Sequence, residues 1–245
     1  MPSVPVTIPE DEVERALVIA AHPDDIDFGA AGTVALWTDR GVQVTYCICT
    51  DGDAGGFDPA VPRREIPGIR RAEQVAAARE VGVTDVRFLG YKDGRLEPTF
   101  DLRRDISRVI RQVRPQRAIV PSPEYRWDRL PASHPDHRAA GEAAVNSIYP
   151  DARNPFTHVE LLRDEGLEAW TVREMWIMAH PSPDHAVDVT DVVERKLAAL
   201  RSHVSQVAHI DGFDDFVRGF LRGDASVHGL PQGRMAEAFK VVACP

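Results

Sequence analysis

The sequence predicts an α/β fold, a mostly parallel sheet covered by helices on both faces within a single domain, and three observations carry that prediction. Short, continuously apolar runs recur, each followed by a polar turn and then by a stretch with helical spacing. Strand and helix alternate along most of the chain, as they do when a chain winds back and forth across one sheet. The two stretches richest in Gly, Pro and Asp, Asp51 to Gly68 and Pro121 to Ser133, each follow a predicted strand, at the carboxyl edge where open sheets of this kind bind their ligands.

Ala16 to Ala21 (ALVIAA) reads as the first strand, apolar throughout because both of its faces are buried. Gly29 to Arg40 carries Val34 and Trp37 at helical spacing and stops at Gly41, and Val42 to Thr50 then resumes as a strand. Arg70 to Val81 is an alanine-rich helix ended by Gly82, Val86 to Leu89 a strand, Asp101 to Val113 a helix stopped before Pro115, and Arg117 to Val120 the fourth strand. A helix from about Pro135 to Ile148, the apolar run Met175 to Ala179, and a helix starting near Thr190, whose hydroxyl can cap it, follow. A doubly wound order 3-2-1-4-5 accommodates these strands. Residues 1–245 form one domain, with a core over about 16–210 and a C-terminal extension to 245 that carries the least pattern.

The charge count of 29 Lys+Arg against 38 Asp+Glu, a net −9, repels polyanions and argues against nucleic acid as a partner. No apolar stretch is long enough to cross a bilayer, and Met1 to Glu14 has neither the basic nor the apolar segment of a secretory signal. Three cysteines make no disulfide framework, and Cys47 and Cys49 alternate as core-facing strand residues do, so a cytoplasmic setting is expected.

Two clusters carry chemistry. His22-Pro23-Asp24-Asp25 stands directly after the first strand, where a dinucleotide-binding loop would instead present glycines and backbone N–H groups. Ser133-His134-Pro135-Asp136-His137 follows the fourth strand; Ser133 or His134 can cap a helix with Pro135 in its first turn, which sets His134 and His137 on one face. Taken alone, the first is an ordinary capped turn and the second a polar helix face. Strands one and four are neighbours in the predicted order, however, so both clusters empty into one crevice, where mixed nitrogen and oxygen donors with an open position suit a hydrolytic metal site.

These residues resemble the paired signatures of the PIG-L/LmbE-like deacetylase family. The resemblance rests on Ala21-His22-Pro23-Asp24-Asp25 with Asp27 and Gly29-Ala30-Ala31-Gly32-Thr33, and on His134-Pro135-Asp136-His137. It extends through Ile69-Arg70 with Glu73, Leu89-Gly90-Tyr91-Lys92-Asp93-Gly94, Val187-Asp188-Val189-Thr190 and His203-Val204-Ser205-Gln206. One slight departure is Asp27, where Glu is common. The resemblance implies a Rossmann-like fold and a divalent metal, usually Zn²⁺ with Fe²⁺ or another divalent ion as alternatives, held by His22, Asp25 and His137. It further implies Asp24 as general base and His134 as the histidine that stabilises an oxyanion or donates a proton.

On this reading the chain is a metal-dependent hydrolase that removes an N-acetyl group from a small N-acyl amine, an amino sugar derivative, and that can assemble as a homo-oligomer. His134 is expected in its cationic form, with Asp136 orienting that imidazole and raising its pKa, unless Asp136 serves only the helix dipole. Arg70 is expected to clamp a substrate hydroxyl or phosphate, with Asp93, Tyr125, Trp127 and Asp128 on loops at the same edge. His180 to His185 reads as a loop, with His180 at most lining the pocket, and His203 as a packing residue. The rival readings are an amidase for a larger thiol-sugar conjugate, a non-catalytic binding module, and a nucleotide-dependent oxidoreductase, the last weakened by the missing Gly-x-Gly-x-x-Gly.

Overall fold

The computed structural model describes residues 8–244, so the first seven residues of the acidic Met1 to Glu14 stretch lie outside it. Five strands run parallel: β1 (Arg15–Ala20), β2 (Gln43–Thr50), β3 (Asp85–Tyr91), β4 (Arg117–Pro121) and β5 (Glu174–Met178). β6 (His185–Asp188) and β7 (Ala236–Ala243) complete the sheet, β7 pairing antiparallel with both β5 and β6. The order is β3-β2-β1-β4-β5-β7-β6, which contains the predicted 3-2-1-4-5. The helices are α1 (Asp25–Gly29), α2 (Ala31–Asp39), α3 (Ile66–Glu80), α4 (Phe100–Val113), α5 (Pro135–Asn146), α6 (Val159–Arg163), α7 (Val193–Arg201), α8 (Val204–Val207) and α9 (Phe213–Val227). None of the helices among the described residues is long and apolar enough to cross a membrane.

The unbroken apolar run of β1 is explained by the two layers it separates. Val18 and Ala20 face a core shared with Val34, Trp37, Tyr46, Leu197, Leu200 and Phe239, under α2, α3, α7 and α9. Leu17 and Ile19 face the opposite core, with Cys47, Cys49, Ile106, Ile110 and Val120, under α4 and α5. Each large aliphatic side chain so enclosed contributes about 1.5–3 kcal/mol, which forbids polar residues on either face of the central strand. α4 shows the complementary pattern: Leu102, Ile106, Val109, Ile110 and Val113 are buried at helical spacing, and the Thr99 hydroxyl accepts from Leu102 N at 3.2 Å as its cap.

The segment after residue 210 supplies α9 and β7, and β7 is inserted between β5 and β6. Its Glu237 explains why. The buried carboxylate accepts from Gly32 N at 2.9 Å and Thr33 N at 2.7 Å, at the positive end of α2, and from the buried Lys196 ammonium of α7 at 2.7 Å. Lys196 also donates to the carbonyls of Asp27 and Phe28.

Two local expectations are corrected. Thr190 does not cap α7: its hydroxyl donates to Asp188 Oδ1 at 2.6 Å and accepts from Met235 N at 2.9 Å, and α7 starts at Val193 after a 3-10 turn. A local side-chain turn with Asp188 outcompetes the helix terminus for that hydroxyl. The run His180 to His185 is a loop only as far as Asp184, because His185 opens β6 beside β7.

Replacing Lys196 by Met keeps most of the volume and leaves Glu237 buried without its counter-charge. The expected loss is about 3–5 kcal/mol, read as a lowered urea midpoint at unchanged slope; a midpoint within error of the parent would show that the pair carries no such weight.

Candidate active site

β1 and β4 are hydrogen-bonded neighbours, and the chain leaves their carboxyl ends toward opposite faces, α1 and α2 on one side and α5 on the other. The crevice predicted at this switch point therefore receives both clusters. α5 reaches the sheet edge closely because residue 141 is Gly, where a Cβ would lie 2.5 Å from the Pro121 carbonyl oxygen and 2.9 Å from Ser122 C. His134 is the N-cap of α5, its Nδ1 accepting from Asp136 N at 3.2 Å, with Pro135 in the first turn as expected.

The turn after β1 is strained. Asp24 has φ 103 and ψ −31, a conformation non-glycine residues adopt at a cost of about 1–3 kcal/mol. Hydrogen bonds hold it there: Asp24 N donates to Gln74 Oε1 at 2.9 Å, and the Asp24 carbonyl accepts from Asp27 N at 2.9 Å and Phe28 N at 3.1 Å. Gln74 is fully buried and is itself oriented by donating Nε2 to Asp27 Oδ2 at 2.8 Å. The same carboxylate oxygen lies 2.8 Å from His203 Nε2. The buried chain His203, Asp27, Gln74 thus fixes which way the Gln74 amide points. His203 holds this chain together, beyond the packing role assigned to it.

His22, Asp25 and His137 converge. His137 Nε2 is 3.0 Å from Asp25 Oδ1, and His22 Nδ1 is 3.6 Å from Asp25 Oδ2. Asp25 Oδ2 is fixed by the N–H groups of Ala21 at 3.1 Å and His22 at 2.9 Å. The outer nitrogen of each ring is engaged: His22 Nε2 lies 3.1 Å from Asp136 Oδ2 and 3.0 Å from Asp93 Oδ1, and His137 Nδ1 lies 3.3 Å from the Ala132 carbonyl. Outer contacts of this kind set the tautomer and direct the inner nitrogen to a cation.

The electrostatics point the same way. Burial works to lower the pKa of His22, yet hydrogen bonds to Asp136, Asp25 and Asp93 push it up to about 12. Burial opposes the charge of Asp25 too, and His137 and His22 nonetheless hold its carboxyl well below the usual range. A site with this excess of carboxylate around one imidazole fits a divalent cation by donor type and by charge. The nitrogens of His22, His134 and His137 also come within 4.8 Å of one another, as do donors of His22, Asp93 and Asp136. His134 Nδ1 is already committed to the helix cap, and His22 Nε2 to carboxylates.

Asp24 sits beside this centre with its carboxyl raised to about 6 by burial, against the opposing pull of Arg70. Arg70 is drawn into the structure of this turn. It is 4% exposed, and its guanidinium donates to Asp24 Oδ2 at 3.0 Å, to Gly52 O at 3.2 Å and to Pro23 O, so those donors hold the turn and the carboxylate. Gly52 permits this approach, since any Cβ there would strike the guanidinium.

Asp136 does not orient His134 through its carboxylate, the role expected of it. Its carboxylate turns away from His134 to His22, and it accepts from Gly94 N at 2.7 Å and Leu96 N at 3.2 Å; only its backbone N–H reaches His134. The His134 pKa is lowered, first by burial and then by His22 and His137; Asp136 raises it, as expected, but by less, so the expected cationic form is disfavoured. Protonating Nδ1 would also break the cap, and the neutral ring therefore carries its proton on Nε2.

Asp93 is oriented inward at His22 and accepts from Ala54 N at 3.1 Å. Tyr125 and Trp127 stack on each other at 4.6 Å with 14° between rings, the Arg138 guanidinium covers Tyr125 at 3.8 Å, and Asp128 pairs with Arg126 at 3.3 Å. Trp127 is 77% exposed. His180 lies 3.3 Å from Glu124.

A cavity of 310 Å³ opens directly from Asp25 and His137. Phe28, Met178, Pro131, Phe216 and Phe220 make its wall largely apolar, with Arg129 and Asp224 among its polar groups, while Tyr125, Trp127 and His180 are not among its lining residues. The α9 residues were not found from sequence, although Phe216, Phe220 and Asp224 recur every fourth residue.

The model of the family described as PIG-L: GlcNAc-PI de-N-acetylase matches residues 17–148. The chain is 32% identical over 235 residues to a diacetylchitobiose deacetylase of Thermococcus kodakarensis, covering 96% of this chain and 85% of that one. It is 35% identical over 199 residues to a probable N-acetyl-alpha-D-glucosaminyl L-malate deacetylase 2 of Bacillus cereus, covering 78% and 83%. The solved N,N'-diacetylchitobiose deacetylase from Pyrococcus horikoshii superposes with a TM-score of 0.87 at 30% identity, covering 96% of this chain and 86% of that one.

The buried His203 yields a pH test. Burial lowers its pKa, but Asp27 first, then Asp24 and Glu73, raise it above the ordinary 6.5. A raised histidine contributes stability that is complete below 6.5 and is lost as pH climbs through the folded value. The thermal midpoint advantage of the parent over His203→Gln should therefore shrink as pH rises from 6.5 into the alkaline range; a gap independent of pH would contradict the assignment.

Proposed function

Because the chain belongs to the PIG-L family, whose model covers more than half of it, we propose that it is a metal-dependent hydrolase that removes the N-acetyl group of an amino sugar derivative. The observation that carries this reading is the meeting of His22, Asp25 and His137 beside an unligated Asp24 and a capped His134 in one crevice.

In this reading His22 through Nδ1, Asp25 and His137 through Nε2 hold a divalent ion, Zn²⁺ or Fe²⁺ by donor type. When bound, such an ion acidifies water toward neutral pH and polarises the amide carbonyl. Asp24 takes the proton of the attacking water and delivers it to the departing nitrogen, a task suited to a carboxyl raised toward neutrality by burial. Arg70 keeps that carboxylate oriented, and Gln74 keeps its backbone in the strained turn. His134 donates from neutral Nε2–H to the developing oxyanion, with its ring fixed by the cap at Nδ1. Asp136 and Asp93 hold His22 from behind, so their contribution to catalysis passes through that ring.

The test is release of primary amine from a panel of N-acetylated amino sugars, with and without chelator and after readdition of zinc or ferrous ion. Chelation should abolish release, and Asp24→Asn should lower kcat by about 10²–10⁴ with metal content unchanged. His137→Ala should lose the metal itself, measured by elemental analysis; stoichiometric, tight binding in that variant would overturn the ligand set. Full metal occupancy with no amine released across a wide panel would turn the reading toward a binding module.

A further inference from the structure

The cavity beside the metal ligands has an unusual polar end. Arg129 and Asp224 both line it, both are half-buried, and among the described residues neither side chain has a hydrogen bond or an ion pair. Arg126, by contrast, is engaged with Asp128. The face of the Arg129 guanidinium lies 3.9 Å from the Phe220 ring centre, which leaves its N–H edge free while fixing its plane. Asp224 stands four residues beyond Phe220 on α9, and Phe216 four residues before, so one helix face presents two rings and a carboxylate to the same space. A Phe at that spacing is ordinarily core, yet Phe216 is 61% exposed and forms part of the cavity wall.

We propose that this cavity is a sugar-ring subsite in which Asp224 and Arg129 clamp neighbouring hydroxyls while Phe216 and Phe220 cover the carbon face of the ring. The proposal rests on the deacetylase reading above and names the residues that select its substrate. A carboxylate accepts from a hydroxyl and a guanidinium donates to one, so the two satisfy a diol together. The opposite charges balance, which suits a neutral ring better than an anion. An acyl chain in the same space would leave both groups buried without partners, and burial already raises Asp224 and lowers Arg129. A volume of 310 Å³ lies at the lower end for small-molecule sites, which run from about 300 Å³ upward, and admits one ring.

The experiment compares N-acetylglucosamine with N-acetylcyclohexylamine, a ring amide without hydroxyls, in the metal-loaded parent and in Asp224→Asn and Arg129→Gln. For the sugar, each variant should raise KM at least about tenfold with kcat within about threefold, and kcat/KM for the hydroxyl-free amide should stay within about twofold. Equal losses on both amides, or no loss on the sugar, would overturn the subsite. Failure of the parent to release glucosamine would strike the deacetylase reading instead. Calorimetric binding of N-acetylglucosamine to parent and Asp224→Asn would then decide the subsite alone, at least about tenfold weaker binding in the variant sustaining it and equal affinity ending it.

Discussion

Negative charge crowded into one crevice is the constraint to which the rest of the molecule answers. Asp24, Asp25, Asp93 and Asp136 all reach the space around His22 from the turn after β1, the loop after β3 and the first turn of α5. Carboxylates that close cannot stay ionised in a protein interior without cations among them. The chain supplies Arg70 and two imidazoles from its own residues, and the donor set they leave fits a divalent ion by type and by charge. The loop after β3 is tied down by the same logic, since Gly94 and Leu96 donate their N–H groups to Asp136.

Rigidity is the second requirement, and it is met from the opposite side of the turn. The strained Asp24 is braced by a fully buried amide whose orientation depends on Asp27, which in turn depends on His203. A residue nearly two hundred positions downstream of β1 therefore bears on the placement of a carboxylate in the crevice. The cost of burying these polar groups is offset in part by the hydrogen bonds they make to one another, while among the described residues Asp27 Oδ1 and His203 Nδ1 are left without partners.

How much of this was legible in the sequence differs by element. The central strands and their order could be read because burial on both faces leaves an unmistakable apolar run, as in Leu17, Val18 and Ile19. The two histidine-carboxylate clusters could be read because a topological switch point concentrates function at two predictable turns. The directions of side chains could not. Spacing put Asp136 next to His134, but at the second position of α5 the backbone N–H faces the cap while the carboxylate projects across to β1. The sequence pattern places Arg70 at the end of the loop after the second strand, whereas α3 starts four residues earlier and the path of the loop through Gly52 encloses the guanidinium. The tail was opaque for a different reason: β6 and β7 are short or late in the chain, and their partners lie far away in sequence, so no local pattern announces them.

That late strand sets an order of events during synthesis. Among the described residues β6 has only β7 as a bonding neighbour in the sheet, and the first N–H groups of α2 wait for the Glu237 side chain. A nascent chain that has emerged only through α7 can assemble the parallel core, but it holds Lys196 and the amino end of α2 without their buried anion, and the cavity without Glu237 and Ala238. Among the described residues the fold is thus closed by its most C-terminal strand, and the crevice acquires its far wall only after β7 has emerged.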